Sequence, residues 1–197
     1  SEHDIVIVSS RWSLYMTGER FDNREGGREH GRDFRMTDGG GADSFATRSL
    51  TAAEIASRFQ EGVRRLLDAG VRVVLVYNVP AVGWAVPSHL AYAEFHGWSL
   101  SRPLSTRLDV YKERHDGAHA ALDAIPPHPN LIRVRPASVF CDTDVPDRCM
   151  AELDGKPLYR DDDHLNAIGG RILVRRIMAK MRAHGWIEGK TADVGPG

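Results

Sequence analysis

Val71-Arg72-Val73-Val74-Leu75-Val76-Tyr77 is apolar or aromatic at every position but Arg72, and β-branched at most of them. A short run of this kind, followed closely by Pro80, reads as a strand buried on both faces, as in a parallel sheet. Asp4-Ile5-Val6-Ile7-Val8-Ser9-Ser10 has the same character. Between the two lies a helical pattern from Thr51 to Ala69, with Ala52, Ile55, Ala56, Phe59, Val63, Leu66 and Leu67 on one face. Thr51 with Glu54 three residues later is a capping box, and Gly70 is a stop signal. Strand, long connection, helix and strand in that order predict a right-handed β-α-β crossover.

Outward from this unit the alternation continues. Pro87 to His96 reads as a short helix and Ser105 to Ala124 as a longer one, weakened at Gly117. Asn130-Leu131-Ile132-Arg133-Val134 reads as a third strand after the turn Pro126-Pro127-His128-Pro129. Asn166 is placed to cap a final helix with Ile168, Ile172, Leu173, Ile177, Met178 and Met181 on one face, ended by Gly185. From Arg11 to Leu50 no period is sustained and Gly, Arg, Asp and Glu dominate, which predicts a long functional loop. The pattern as a whole predicts a three-layer α/β fold with a parallel sheet. Residues 1–190 form one domain and 191–197 a flexible tail.

At 197 residues the chain is long enough for one full core. Its net charge of −1 gives no basic surface for nucleic acid, and no apolar run reaches the length of a membrane span. The chain starts at Ser1 and enters a strand-like run almost at once, so it reads as part of something longer. Cys141 and Cys149 flank a polar, turn-rich segment. Their spacing suits a short-loop disulfide and hence an oxidising compartment; two free thiols are the alternative, and CxxC-type zinc spacing is absent.

Chemistry concentrates in Leu158-Tyr159-Arg160-Asp161-Asp162-Asp163-His164-Leu165-Asn166. An Asp three residues before a His can accept one imidazole N–H and fix the tautomer, leaving the other nitrogen to take a proton from a nucleophile. The plainer reading of Asp161 to Asp163 is a solvated acidic turn that favours the next helix through its dipole. A metal site from the same residues lacks a second His–carboxylate cluster. Ser9 and Ser10 close the first strand, where parallel α/β folds bind ligands. Ser10, Arg11 and Trp12 are candidates for oxyanion or substrate binding there. Equally, Arg11 would serve a structural ion pair and Trp12 the core. Gly41-Ala42-Asp43-Ser44 resembles a nucleophile motif but lacks the preceding strand that such a serine needs.

Taken together, these residues resemble the SGNH-type (GDSL-like) extracytoplasmic domain fused to bacterial acyltransferase-3 membrane proteins, which O-acetylate surface glycans. The stretches that carry the resemblance are Asp4 through Tyr15 with Arg20-Phe21-Asp22-Asn23 and Glu25-Gly26-Gly27, Val73 through Pro80 with Val82-Gly83 and Pro87, Cys141 with Cys149, and Pro157 through Asn166. The resemblance implies an SGNH/flavodoxin-like α/β/α fold truncated at its N-terminal part, with Asp161 and His164 as catalytic residues. The family's Gly-Asp-Ser-His block has no counterpart here, and Ser-Ser-Arg-Trp stands where its Gly-x-Asn-Asp block belongs. The nucleophile is therefore expected upstream of Ser1. The resemblance further implies O-acyl transfer or ester hydrolysis on a carbohydrate such as a lipopolysaccharide or exopolysaccharide. It also implies a periplasmic location, a membrane acyltransferase-3 domain as partner, and no cofactor or metal. A non-catalytic glycan-binding module is the alternative.

Overall fold

A computed structural model describes residues 4–39, 48–98 and 102–188. Ser44 and the tail 191–197 lie outside the described residues. The elements, in chain order, are β1 (Ile5–Ser9), α1 (Trp12–Thr17), α2 (Ala52–Asp68), β2 (Arg72–Val76), α3 (Val86–Phe95), β3 (Ser105–Arg107), α4 (Leu108–Asp123), β4 (Leu131–Val134), α5 (Ala137–Phe140), β5 (Arg148–Met150), β6 (Glu152–Leu153), β7 (Lys156–Pro157) and α6 (Ala167–Ala183).

The apolar runs form a parallel sheet in the order β1-β2-β4, and their register brings Ser9, Val76 and Val134 to one edge. Side-chain alternation along β2 then decides the layers. Val73, Leu75 and Tyr77 pack with Trp12, Val63, Leu67, Leu122 and Ile125 from α1, α2, α4 and the end of α4. Val74 and Val76 face the other way, onto Ile132, Val134, Ile177 and Met181, so that α6 covers the second face. The three-layer α/β/α architecture follows from this division.

α2 begins as its capping box predicts, with Thr51 and Glu54 exchanging both hydrogen bonds. Gly70 leaves the helix at φ +79°, which a side chain would strain. Asn166 caps α6 by accepting from the N–H groups of Ile168 and Gly169. Two segments differ from the expectation. The stretch after Arg11 contains the short helix α1, whose Trp12 is drawn into the core against Phe59. The helix expected from Ser105 begins at Leu108, because Ser105–Arg107 pairs antiparallel with β5. Arg148 reinforces that pairing by donating to the Ser105 hydroxyl at 2.8 Å and carbonyl at 2.7 Å.

Close approach fixes α6 at its start. A Cβ on Gly169 would stand 2.4 Å from the Leu158 carbonyl oxygen, whereas one on Gly170 would meet nothing. Gly169→Ala should therefore cost about 2 kcal/mol by overpacking. Gly170→Ala should gain up to about 1 kcal/mol from helix propensity. Urea midpoints of the two variants check the pair; equal shifts would contradict the packing.

Cys141 and Cys149 form a disulfide beside this region. Both half-cystines are buried against Phe140, Leu158 and Tyr159. Denatured, unreduced protein should titrate no thiols, and reduction should lower stability by about 2–3 kcal/mol in urea unfolding. Two titratable thiols would contradict the bond.

Candidate active site

The turn from Tyr159 to Leu165 is held from several sides, which explains how so many acidic residues keep one geometry. Tyr159, fully buried, donates its hydroxyl to Pro80 O at 2.8 Å. The Asp162 carbonyl accepts from the N–H of Val82 and Gly83, and its buried carboxylate accepts from the N–H of His30. Arg160 N–H donates to His164 O at 2.9 Å, which closes the turn on itself. Asp162 is thus an internal strut, not part of a solvated acidic face.

Within this frame His164 Nδ1 lies 3.0 Å from Asp161 Oδ2. Asp161 Oδ1 accepts from the backbone N–H of His164 at 2.7 Å and of Asp163 at 3.1 Å. Partial burial would raise the Asp161 carboxyl, but these two N–H groups and the imidazole outweigh it and hold the group below the usual carboxylate range. Asp161 is therefore ionised, fixed and aimed at Nδ1, and Nε2 is left for proton transfer.

His164 opens onto a cleft of about 250 Å³ at the carboxyl edge of the sheet, where Ser9, Ser10 and Arg11 end β1 and Asn78 and Val79 follow β2. The structure thus brings together His164, Ser10 and Arg11. It does not bring Trp12, which is buried and donates its indole N–H to Val76 O at 2.9 Å. Trp12 belongs to the core, where its ring fills the α1–α2 contact against Phe59. Arg11 stands at the cleft but its guanidinium is engaged by Glu29 and by Asp163. Only Ser10 and the strand-end backbone remain for an oxyanion role among the three candidates.

Several residues here had no signal in the sequence. Glu29, in the unpatterned stretch after α1, has a buried carboxylate that meets both Arg11 and Arg20 and accepts from Phe21 N–H at 3.1 Å. Burial pushes Glu29 up, yet the hydrogen bonds from Arg20, Arg11 and Phe21 prevail and hold it down. Ser13 and His115, also in the cleft wall, lie 2.7 Å apart (Oγ to Nδ1) and are both buried. Burial, with His119 and Arg114 nearby, pushes the His115 imidazole down to about 3. His115 Nε2 finds no partner among the described residues, so no carboxylate orients this imidazole as Asp161 orients His164. Asn78 is buried in the same wall, and its Oδ1 has no partner among the described residues. Asp163 was visible only as one of three aspartates; its burial and its contact with Arg11 depend on the tertiary structure.

Donor atoms of Asp161, Asp163 and His164 lie within 4.8 Å of one another, the spacing of a metal cage. However, Arg11 Nε sits 2.7 Å from Asp163 Oδ2, and Asp161 Oδ1 already accepts two backbone N–H groups. The set faces a resident guanidinium, a poor neighbour for a cation.

An imidazole held by a carboxylate at the carboxyl edge of a parallel sheet is an arrangement that hydrolases and acyltransferases of the α/β class use. The family model described as SGNH domain (fused to AT3 domains) matches residues 1–179. The chain belongs to that SGNH domain family. No curated protein and no solved structure matches the chain. Among the described residues, no helix is long and apolar enough to cross a membrane.

Proposed function

We propose that this chain forms part of an enzyme that transfers or hydrolyses an O-acyl group, most simply acetyl, on a cell-surface carbohydrate. His164 takes a proton from a serine and returns it to the leaving group, and Asp161 orients the imidazole. The observation that carries this reading is the Asp161–His164 pair on the rim of the β1–β2 cleft.

The serine comes from outside the described cleft. Ser13 pairs with His115, whose other ring nitrogen has no carboxylate partner among the described residues to orient it. Among the described residues β1 pairs only with β2, which leaves its other edge open, and Ile7 on the α6 face of the strand is 53% exposed. A further parallel strand added along this edge would end beside Ser9, facing His164, and we assign the nucleophile to the end of such a strand upstream of Ser1. An acyltransferase-3 membrane domain in the same protein would supply the acyl group, on the periplasmic side. The disulfide supports an oxidising compartment.

The test is acetyl release from an aryl acetate, with and without a carbohydrate acceptor, by the intact protein as encoded and by residues 1–197 alone. The intact protein should turn over and show an initial burst; the isolated chain should be inactive. Robust turnover by the isolated chain, abolished by Ser44→Ala, would overturn the assignment of the nucleophile.

A further inference from the structure

His164 faces two carboxylates, not one, and the second has no assigned role. Asp163 Oδ1 lies 2.8 Å from His164 Nδ1, nearer than either oxygen of Asp161. The two partners differ in environment. The Asp161 side chain is 40% exposed and its contacts are local to the turn. The Asp163 side chain is 9% exposed, and its Oδ2, itself buried, lies 2.7 Å from Arg11 Nε in an ion pair without hydrogen-bond alignment. Arg11 is in turn held by Glu29. A charge in the drier position acts more strongly on the imidazole, because less water screens it.

We infer that Asp163 is a second positioning residue for His164, tethered by Arg11, and that the turn and the β1 edge are coupled through this Arg11–Asp163–His164 chain. This inference rests on the reading of His164 as the base. Asp161 supplies the aligned hydrogen bond to Nδ1. Asp163 supplies the short ionic contact that favours a proton on Nδ1 and stabilises the imidazolium when Nε2 is protonated. The groups facing Asp163 are Arg11 from the end of β1, Glu29 from the loop after α1, and Asp162 and His164 from its own turn. Burial pushes Asp163 up to about 6, against the pull of Arg11 and His164, so that the contact weakens in mild acid.

The experiment joins kinetics and spectroscopy on the intact protein. In the wild type, long-range proton–nitrogen spectra at pH 7.5 should show His164 with its proton mainly on Nδ1, whereas free imidazole in water prefers Nε2. Asp163→Asn should shift that population toward Nε2. It should also lower kcat/KM at least about tenfold and displace the acid limb of its pH profile by about one unit or more. If Asp163→Asn does not fold, Arg11→Gln, which removes the tether and leaves the carboxylate, should change both readouts in the same direction. Unchanged tautomer and unchanged acid limb, with His164→Ala still inactive, would overturn the inference while the acyl-transfer reading stands. A tautomer that moves with Asp163 in a protein that turns over no ester would support the positioning role and sink the acyl-transfer reading instead.

Discussion

Replacing His164 with alanine in the intact protein should lower acyl turnover by about a thousandfold or more, with little change in stability. The magnitude is that of losing the base from a nucleophile–base–orienter unit, where the remaining groups contribute little alone. The side chain is half exposed, so truncation opens no cavity in the core. The Arg160 N–H bond to the His164 carbonyl persists, because the backbone is unchanged. Asp161→Asn should act in the same direction and more gently. The amide can still accept from the two backbone N–H groups but no longer favours a proton on Nδ1. Steady-state kinetics with an aryl acetate, together with urea unfolding of each variant, separate loss of chemistry from loss of fold. Equal turnover by wild type and His164→Ala would remove His164 from the mechanism.

The second large effect should come from Glu29, which makes no hydrogen bond to His164 or Asp161. Its buried carboxylate lies between the guanidiniums of Arg11 and Arg20 and accepts from Phe21 N–H. Glu29→Ala leaves two cations facing each other with no anion between them, and should cost about 3 kcal/mol. It also frees Arg11, so turnover should fall with stability. The pH dependence has a defined sign. The folded carboxyl titrates below the unfolded one, so the stabilisation is complete above the unfolded value of about 4.3 and is lost as pH falls through the folded value. Glu29→Gln should therefore show a shallower loss of stability than wild type below about pH 4. Urea unfolding at pH 7 and in acid checks both statements; a Glu29→Ala variant within about 0.5 kcal/mol of wild type would contradict them.

What the sequence made legible was local. The valine-rich run at Val71–Tyr77, the Thr51–Glu54 box and the Asn166 cap each encode their structure within a few residues, and each element forms as expected. Asp161 and His164 are three residues apart, so their pairing too was legible. The rest depended on distance in the chain. Ser105–Arg107 becomes a strand because Arg148–Met150 lies beside it, and nothing in Ser-Thr-Arg announces that partner. Trp12 reads equally as site or core until Phe59 is placed against it. Asp161, Asp162 and Asp163 are chemically identical in the sequence. The fold makes the first a hydrogen-bond partner of His164, the second a strut and the third the partner of Arg11.

In the proposed mechanism His164 serves a serine outside the described cleft. This is tested most directly by labelling the intact protein with a serine-reactive fluorophosphonate and mapping the modified residue by mass spectrometry. A single modified serine is expected, upstream of Ser1, with its labelling lost in His164→Ala. Modification of Ser44, or of any serine at a rate independent of His164, would contradict it, as would an intact protein that takes no label while its fold is preserved.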